Sequence, residues 1–553
     1  MNKLRFLFIA LAAAVISILS GCEEETPVQN PPRPVGFIEL IEAYEAGKVF
    51  DSAEPASGNC KIIFADGSTL TVPGTAFVVH DCRNSSPAVV SVSDGWWKVD
   101  GALLALKADS SVARKDSLPV YVYFDGLTLY MYLSNREILT FPSVALEAQK
   151  ELARRQNIPV VRITTVGKAP IKDKKNYVDG TITISDPEKL YSDVETFTSG
   201  MGIRGRGNST WEWEKKPWKV KLDEKASLLG MPADKEWALL ANYADRTLIR
   251  NVVAMKLSEI CGFSWTPRMR SVEVYLNGEY QGVYTLCEHK KISPDRVDID
   301  IVGEGDISGE GVTGGYYLEM EENQDETTCW WTGMGVPMMF SDPEEPTPAQ
   351  YAYMTGLIDE FEKVLQSSSF ADPVKGYAAY IDVPSFINYY IVQELTKNVD
   401  GNLRKSSFLT KERGKKMEMY HLWDFDLTLG NCGYFDGSVG NGPENFWVKD
   451  YKSDCTRGMG WYGYLFKDPA FVTAVKARLN ELMPQLEAIP EFIDDQVFML
   501  EKAQARNFER WDINASVDWV KMPSLGSYEA EVEYLKDFYV SRLDWLVKAL
   551  MQL

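Results

Sequence analysis

The sequence predicts an α+β protein: a small β-rich module, then a bilobed domain with a strand-rich front half and a helical back half. Three observations predict it. Short alternating apolar runs between 59 and 142 are punctuated by Asp66-Gly67, Asp94-Gly95, Asp100-Gly101 and Asp125-Gly126, the pairs that close hairpins. Strand-like runs resume at Ile158, but after about Pro348 the spacing turns helical, as in Leu357, Ile358, Phe361, Val364 and Leu365. Finally, 553 residues exceed the size at which a single core stops growing, so more than one domain is expected. Sheet-rich and helix-rich stretches in succession suit an α+β layering.

The N-terminus reads as an export signal. Lys3 and Arg5 precede an apolar stretch from Phe6 to Leu19, which is too short to span a bilayer comfortably. Leu19-Ser20-Gly21-Cys22 resembles a bacterial lipobox, which implies cleavage of residues 1–21 and lipid on the Cys22 thiol. Glu23-Glu24-Glu25 resemble the acidic tag that sends some Gram-negative lipoproteins to the outer face of the outer membrane. The expected location is therefore the outer membrane, lipid-anchored, at the cell surface. Residues 22–35 carry four prolines and read as an extended tether.

Charge and cysteine usage exclude several classes. A formal net charge of −21 repels phosphate backbones, so no nucleic acid partner is expected, and the membrane is met only through the N-terminal lipid. Beyond Cys22 seven cysteines remain, with no CxxC pair, which argues against a zinc ribbon or thioredoxin-like site. Cys60 with Cys82, and Cys432 with Cys455, are the pairs closest in sequence. His80, His289 and His421 are too few for a multi-histidine metal site, and no Gly-x-Ser-x-Gly elbow supports a serine triad.

The module is expected at 36–145. It opens with a short helix at 37–48 and continues as strands at 60–64, 69–72, 88–92 and 118–124. The stretch Val92 to Gly101 resembles small β modules near the N-termini of other exported lipoproteins, a spacer or a binding module. Trp96 and Trp97 could stack on a sugar, although core packing is the commoner fate of tryptophan. Val144 to Arg155 is a helix leading to the large domain, 156–553, whose front lobe runs to about 345 and whose back lobe covers 346–553.

Within that domain four segments carry chemistry. The first is Gly202-Ile203-Arg204-Gly205-Arg206-Gly207-Asn208-Ser209-Thr210-Trp211, whose glycines would let backbone N–H groups approach phosphate; a plain loop is the simpler reading. In Lys215-Lys216-Pro217-Trp218-Lys219-Val220-Lys221-Leu222-Asp223, a strand would put Lys219 and Lys221 on one face. The third runs from Trp237 through Asn242-Tyr243-Ala244-Asp245 to Arg250-Asn251, with Asp245 placed to cap a helix reaching about Ile260. It is followed by a hairpin over Val272 to Leu286 that turns at Asn277-Gly278. The fourth is Glu394 to Asn402, where Asp400 stands between a helix and a strand, leading to Trp423-Asp424-Phe425-Asp426-Leu427-Thr428-Leu429-Gly430. An apolar run ending on two carboxylates two residues apart reads as a strand that presents Asp424 and Asp426 to one cation. A turn with solvated Asp residues is the alternative.

Taken together these segments resemble the CotH kinase family. The carriers are Arg206 to Trp211, Lys216 to Leu222, Leu240-Ala241-Asn242-Tyr243 with Arg250-Asn251, Asn277 to Tyr284, and Trp423 to Leu427, in that order across about 158–460. The resemblance implies an atypical protein-kinase-like fold that binds ATP with Mg²⁺ or Mn²⁺ and phosphorylates Ser or Thr of exported proteins. It implies Lys221 on the α/β-phosphates, with Lys219 the second choice, beside Arg206, Asn208 and Ser209. Asp400 would be the base, and Asp424 the principal metal ligand. Two departures stand out. Asp426 occupies the glycine position of the kinase Asp-Phe-Gly-Leu segment. Lys405 stands where a typical kinase has a metal-binding Asn, which leaves the second ion to Asp426 or Asn402, or leaves one ion only. Glu288 and Glu259 are the candidates to pair with Lys221.

Three functions are thus in play: an ATP-dependent kinase; a non-catalytic surface protein that binds glycan or protein, suggested by the surface location and fifteen tryptophans; and a hydrolase using paired carboxylates.

Overall fold

The structure is a computed structural model that describes residues 37–56, 59–73, 90–99, 102–108, 110–111, 113–114, 117, 119–124, 128–141, 143–323, 328–433, 441–450, 460–517 and 520–553. The expected signal 1–21, the lipidation site Cys22, the tether 22–35, His80, and the Asp100-Gly101 and Asp125-Gly126 pairs lie outside the described residues. So do Cys82 and Cys455, one member of each cysteine pair singled out above. The chain divides into two compact units, Met1–Ala153 and Arg154–Leu553, and is α+β.

The first unit holds α1 (Phe37–Glu45) and three antiparallel meanders. These are β1 (Phe50–Ala56), β2 (Asn59–Phe64) and β3 (Thr69–Pro73); β4 (Val90–Ser93), β5 (Trp96–Val99) and β6 (Ala102–Lys107); and β7 (Pro119–Phe124), β8 (Leu129–Leu133) and β9 (Ile138–Phe141). The Asp94-Gly95 turn has φ of 53° and 80°, which suits a tight hairpin. Leu40, Ile41, Phe50, Ile62, Phe64, Met131 and Phe141 form its core. Trp97 is buried, and its indole N–H donates to the Ser134 carbonyl at 3.2 Å, so this tryptophan packs and does not display itself. Helix α2 (Val144–Arg155) follows.

In the second unit a closed barrel comes first. Its strands are β10 (Val160–Thr165), β11 (Val178–Ser185), β12 (Thr196–Gly205), β13 (Trp218–Ala226), β14 (Asp234–Leu240), β15 (Met269–Leu276) and β16 (Glu279–Glu288). They run in the order β10-β11-β12-β13-β14-β16-β15, and a parallel β15–β10 pairing closes the ring. Alternation fills the interior with Ile163, Ile182, Ile203, Trp218, Val220, Leu222, Trp237, Val274 and Leu286. In the sequence, Asp179-Gly180 within Tyr177 to Ile184 reads as a turn between two strands, but the structure runs straight through it as the single strand β11. Gly180 pairs with Thr165, and a Cβ there would stand 2.5 Å from the Thr164 carbonyl oxygen. Its glycine serves a close strand approach, not a turn. The Asn277-Gly278 turn is as expected, with φ of 53° and 91°.

Helix α3 (Arg250–Cys261) lies between β14 and β15. A second sheet, ordered β18-β19-β17-β20-β21, comprises β17 (Tyr316–Met320), β18 (Cys329–Trp331), β19 (Pro337–Asp342), β20 (Ser407–Lys411) and β21 (Met417–His421). Because β17 pairs with β20, the division expected near 345 passes through this sheet. Around it pack α4 (Pro348–Leu365), α5 (Val383–Thr396), α6 (Trp461–Leu465), α7 (Pro469–Glu487), α8 (Ile489–Arg510) and α9 (Tyr528–Met551). Thr347 and Gln350 form a capping box that starts α4. One fully buried ion pair, Arg542 to Glu394 at 2.5 Å, ties α9 to α5. Among the described residues no helix is long and apolar enough to cross a membrane.

Candidate functional site

A cleft of about 640 Å³ opens in the second unit. Barrel-side residues line one wall: the loop Arg206 to Thr210 after β12, with Trp213, Asn242, Tyr243 and Lys290. Across from them stand Glu319, Glu321, Glu322, Asp400, Arg404, Lys405, Trp423, Asp424 and Asp426.

Each wall has a local cause. Gly207 adopts φ of 81°, and a Cβ there would collide with the Thr210 hydroxyl, so the loop needs glycine at that point. Ser209 to Trp211 then makes a 3₁₀ turn that leaves Asn208 and Ser209 exposed. Arg206 lies over the Trp423 ring, 5.6 Å from its centroid, so the loop's guanidinium reaches the segment that carries Asp424.

The acidic segment is not a strand. β21 ends at His421, and Asp424 lies in the irregular segment that follows, with φ of 66°, just ahead of a turn at 426–427. The expectation that strand alternation aligns Asp424 with Asp426 is therefore corrected: an irregular segment and the turn after it bring them to the cleft, Asp424 exposed and Asp426 half-buried. Hydrogen bonds from outside hold that segment. The Asn251 side chain accepts from the Phe425 N–H at 2.8 Å, and Asn431 donates to the Asp426 carbonyl at 2.7 Å. Arg250 donates to the Thr428 carbonyl at 3.0 Å and pairs with Asp245 at 2.5 Å, both side chains buried. Asp245 is not the N-cap expected from the sequence, since α3 starts at Arg250 with Ile249 at the cap, but its side chain reaches forward to accept the Arg250 N–H at 2.8 Å.

Asp400 lies after α5, in the turn that enters β20. Burial pushes its carboxyl up to about 6; Lys405 pulls it down, and the charge of Asp424 pushes it further up. Asp426 is driven well above the carboxylate range by burial first, then by Asp424, Asp400 and Asp245. The charge of Asp424 thus raises the proton affinity of both Asp400 and Asp426, and Asp400 adds to the effect on Asp426, a concentration of negative charge that a cation would relieve. The donor set fits a hard divalent ion on Asp424 and Asp426 with substrate oxygens completing its shell. It does not fit an all-protein cage, since among the described residues no three His, Cys, Asp or Glu side chains converge as metal ligands.

Other candidates lie elsewhere. Lys221 is exposed and outside the cleft lining. Lys219 shares its face but pairs with Glu236 at 2.6 Å. Neither suggested glutamate meets these lysines: Glu288 is buried against Arg268 at 3.0 Å, and Glu259 pairs with Lys256 at 3.0 Å. Asn402 is buried and does not line the cleft.

The cleft also contains residues not singled out from the sequence. Lys290, just past the end of β16, contacts Glu319 and lies 4.3 Å over the Phe408 ring. Glu322 accepts both nitrogens of a forked Arg404 at 2.7 and 2.8 Å and pairs with Lys405 at 2.9 Å. Burial would raise the Glu322 carboxyl, but these two cations bring it down to about 2. The basic pair Lys290-Lys291 after a long strand was the available signal for Lys290. Glu322 had none, because its partners are more than eighty positions away.

The CotH kinase protein family matches residues 203–546, more than half of the chain, and the chain belongs to that family. No curated protein matches it. Family membership supports a kinase-like function.

Proposed function

We propose that this member of the CotH kinase family binds ATP in the cleft and transfers its γ-phosphoryl group to Ser or Thr hydroxyls of exported proteins. In this reading the barrel and the helical region act as the two lobes of a kinase-like domain. The single observation that carries the reading is the meeting of Asp400, Asp424 and Asp426 in one cleft with the Arg206 to Thr210 loop. Arg206, with Lys290, supplies positive charge for the nucleotide phosphates; Asn208 and Ser209 offer polar groups to the same chain of oxygens. Asp424 and Asp426 would hold Mg²⁺ or Mn²⁺. When bound, the ion neutralises phosphate charge and fixes its geometry, which is most of what phosphoryl transfer needs. Asp400, with its carboxyl near 6, is ionised at neutral pH and basic enough to accept the acceptor hydroxyl's proton.

The test uses the full chain with ATP and Mg²⁺ or Mn²⁺, reading nucleotide-dependent thermal shift and autophosphorylation beside Asp400→Ala and Asp424→Asn. No shift, and no difference between wild type and variants, would sink the kinase reading.

A second reading has one observation in its favour: neither strand lysine reaches the cleft. A protein that kept the fold without the chemistry would bind glycan or protein at the surface, and binding of such a ligand without nucleotide would select it. For location, we propose a lipid anchor at Cys22 and display on the outer membrane, motivated by the lipobox-like Leu19 to Cys22 and the acidic run after it. Cys22→Ser should move the protein out of the membrane fraction; unchanged fractionation would refute the anchor.

A further inference from the structure

Lys405 occupies the position where the kinase pattern calls for a metal-binding Asn, and its surroundings give it a definite place. Its backbone N–H donates to the Asp400 carbonyl at 3.1 Å, closing the turn 400–405 and bringing both side chains to the cleft. Leu403 and Ser406 adopt φ of 56° and 48°, so the turn is a shaped one. The Ser407 hydroxyl donates to the Lys405 carbonyl at 3.0 Å and fixes where β20 begins. Glu322 then holds the Lys405 ammonium at 2.9 Å while it also takes the fork of Arg404. Glu322 is shared between two cations, and Lys405 and Asp400 each shift the other's proton affinity, so they are electrostatic neighbours. With 28% of its side chain exposed, Lys405 remains in reach of a ligand.

An ammonium cannot ligate a metal, because it has donors only. It can supply the positive charge itself. We propose that Lys405 is the γ-phosphate-binding cation of this site, taking the place of a second metal ion. The inference rests on the kinase reading above and deepens it. In the reaction the acceptor oxygen forms its bond to the γ-phosphorus while the bond to the β–γ bridging oxygen breaks. The electron pair leaves with ADP, and the hydroxyl proton goes to Asp400. Lys405 exchanges no proton; its N–H groups contact γ-phosphoryl oxygens beside the base. Arg206, stacked on Trp423, serves the other end of the phosphate chain, so the two cations divide the nucleotide between them.

Calorimetry on the full chain separates the γ-phosphate from the rest of the nucleotide. With Mg²⁺ present, wild type should bind AMP-PNP about tenfold more tightly than ADP, the size of one charge-assisted hydrogen bond. Lys405→Met and Lys405→Gln should bring the two affinities to within about twofold with ADP binding unchanged, and Lys405→Arg should keep the preference. Electron paramagnetic resonance should count one Mn²⁺ per bound AMP-PNP. An AMP-PNP preference that survives in both neutral variants, or two bound Mn²⁺ ions in wild type, overturns the inference and leaves the kinase reading standing. Loss of ADP binding in both neutral variants also overturns it, since Lys405 would then support the whole cleft. Wild type that binds neither nucleotide refutes the kinase reading and this inference with it.

Discussion

The two walls of the cleft are built differently. The acidic wall is held from behind by buried, specific contacts: Asp245 with Arg250, Asn251 on the Phe425 amide, and Asn431 on the Asp426 carbonyl. Glu394 and Arg542 anchor α5, the helix that leads to Asp400. The basic wall rests on half-exposed contacts, with Arg206 over Trp423, and Lys216 donating to the Trp211 carbonyl at 2.6 Å. The difference teaches where precision is needed. Carboxylates that repel one another must be fixed by partners outside the cleft, whereas a loop offering backbone amides and one guanidinium can approach a flexible phosphate chain.

The hardest test of this contrast removes the acidic chemistry while sparing the scaffold. Asp400→Asn should lower phosphoryl transfer about 100- to 10,000-fold while nucleotide still shifts the melting temperature. Equal loss of both signals would mean that Asp400 builds the wall and does not act within it. Next come the supports. Arg250→Met strands Asp245 in the interior and should cost about 3–5 kcal/mol in urea unfolding, and Arg542→Met should do the same to Glu394. A cost below about 1 kcal/mol at either site would show the acidic wall to be no better anchored than an exposed pair.

Smaller effects sharpen the comparison. Arg206→Met should weaken nucleotide binding about tenfold, whereas Lys221→Met should change it less than about twofold. The reverse order, read by calorimetry, would return the phosphates to the strand lysine. pH gives the last test. The Asp400 carboxyl lies above its unfolded value, so the folded chain holds that proton more tightly. Its contribution to stability is full below the unfolded carboxylate range and is lost as pH rises through about 6. Asp400→Asn should therefore raise the metal-free melting temperature at pH 7.5 and leave it nearly unchanged at pH 4. Transfer by wild type should in turn rise through about pH 6 as the base ionises.

Much of the fold was legible because it rests on local rules. Alternation marked Trp218, Val220 and Leu222 as one face, and they fill the barrel. Asn277-Gly278 specified its hairpin, because few other pairs accept two positive φ angles in succession. The Asp179-Gly180 pair misled for the same reason. Its glycine answers to a neighbouring strand, which the local sequence does not display. In the site, the acidic residues were legible because their spacing is short. Their presentation was not, since Asp424 departs from the strand that precedes it.

By itself, then, the sequence determined the α+β class, the strand and helix periodicities, and the motif series that marks the CotH kinase family. These are properties of neighbours along the chain. Tertiary structure alone decided which cations face the carboxylates. It turned Lys219 and Lys221 onto the outer face of the barrel and brought Arg206 over Trp423, Lys290 to Glu319, and Arg404 with Lys405 to Glu322. Charge pairing acts through space between residues tens to hundreds of positions apart, and only the closed barrel and the sheet beside it set those distances.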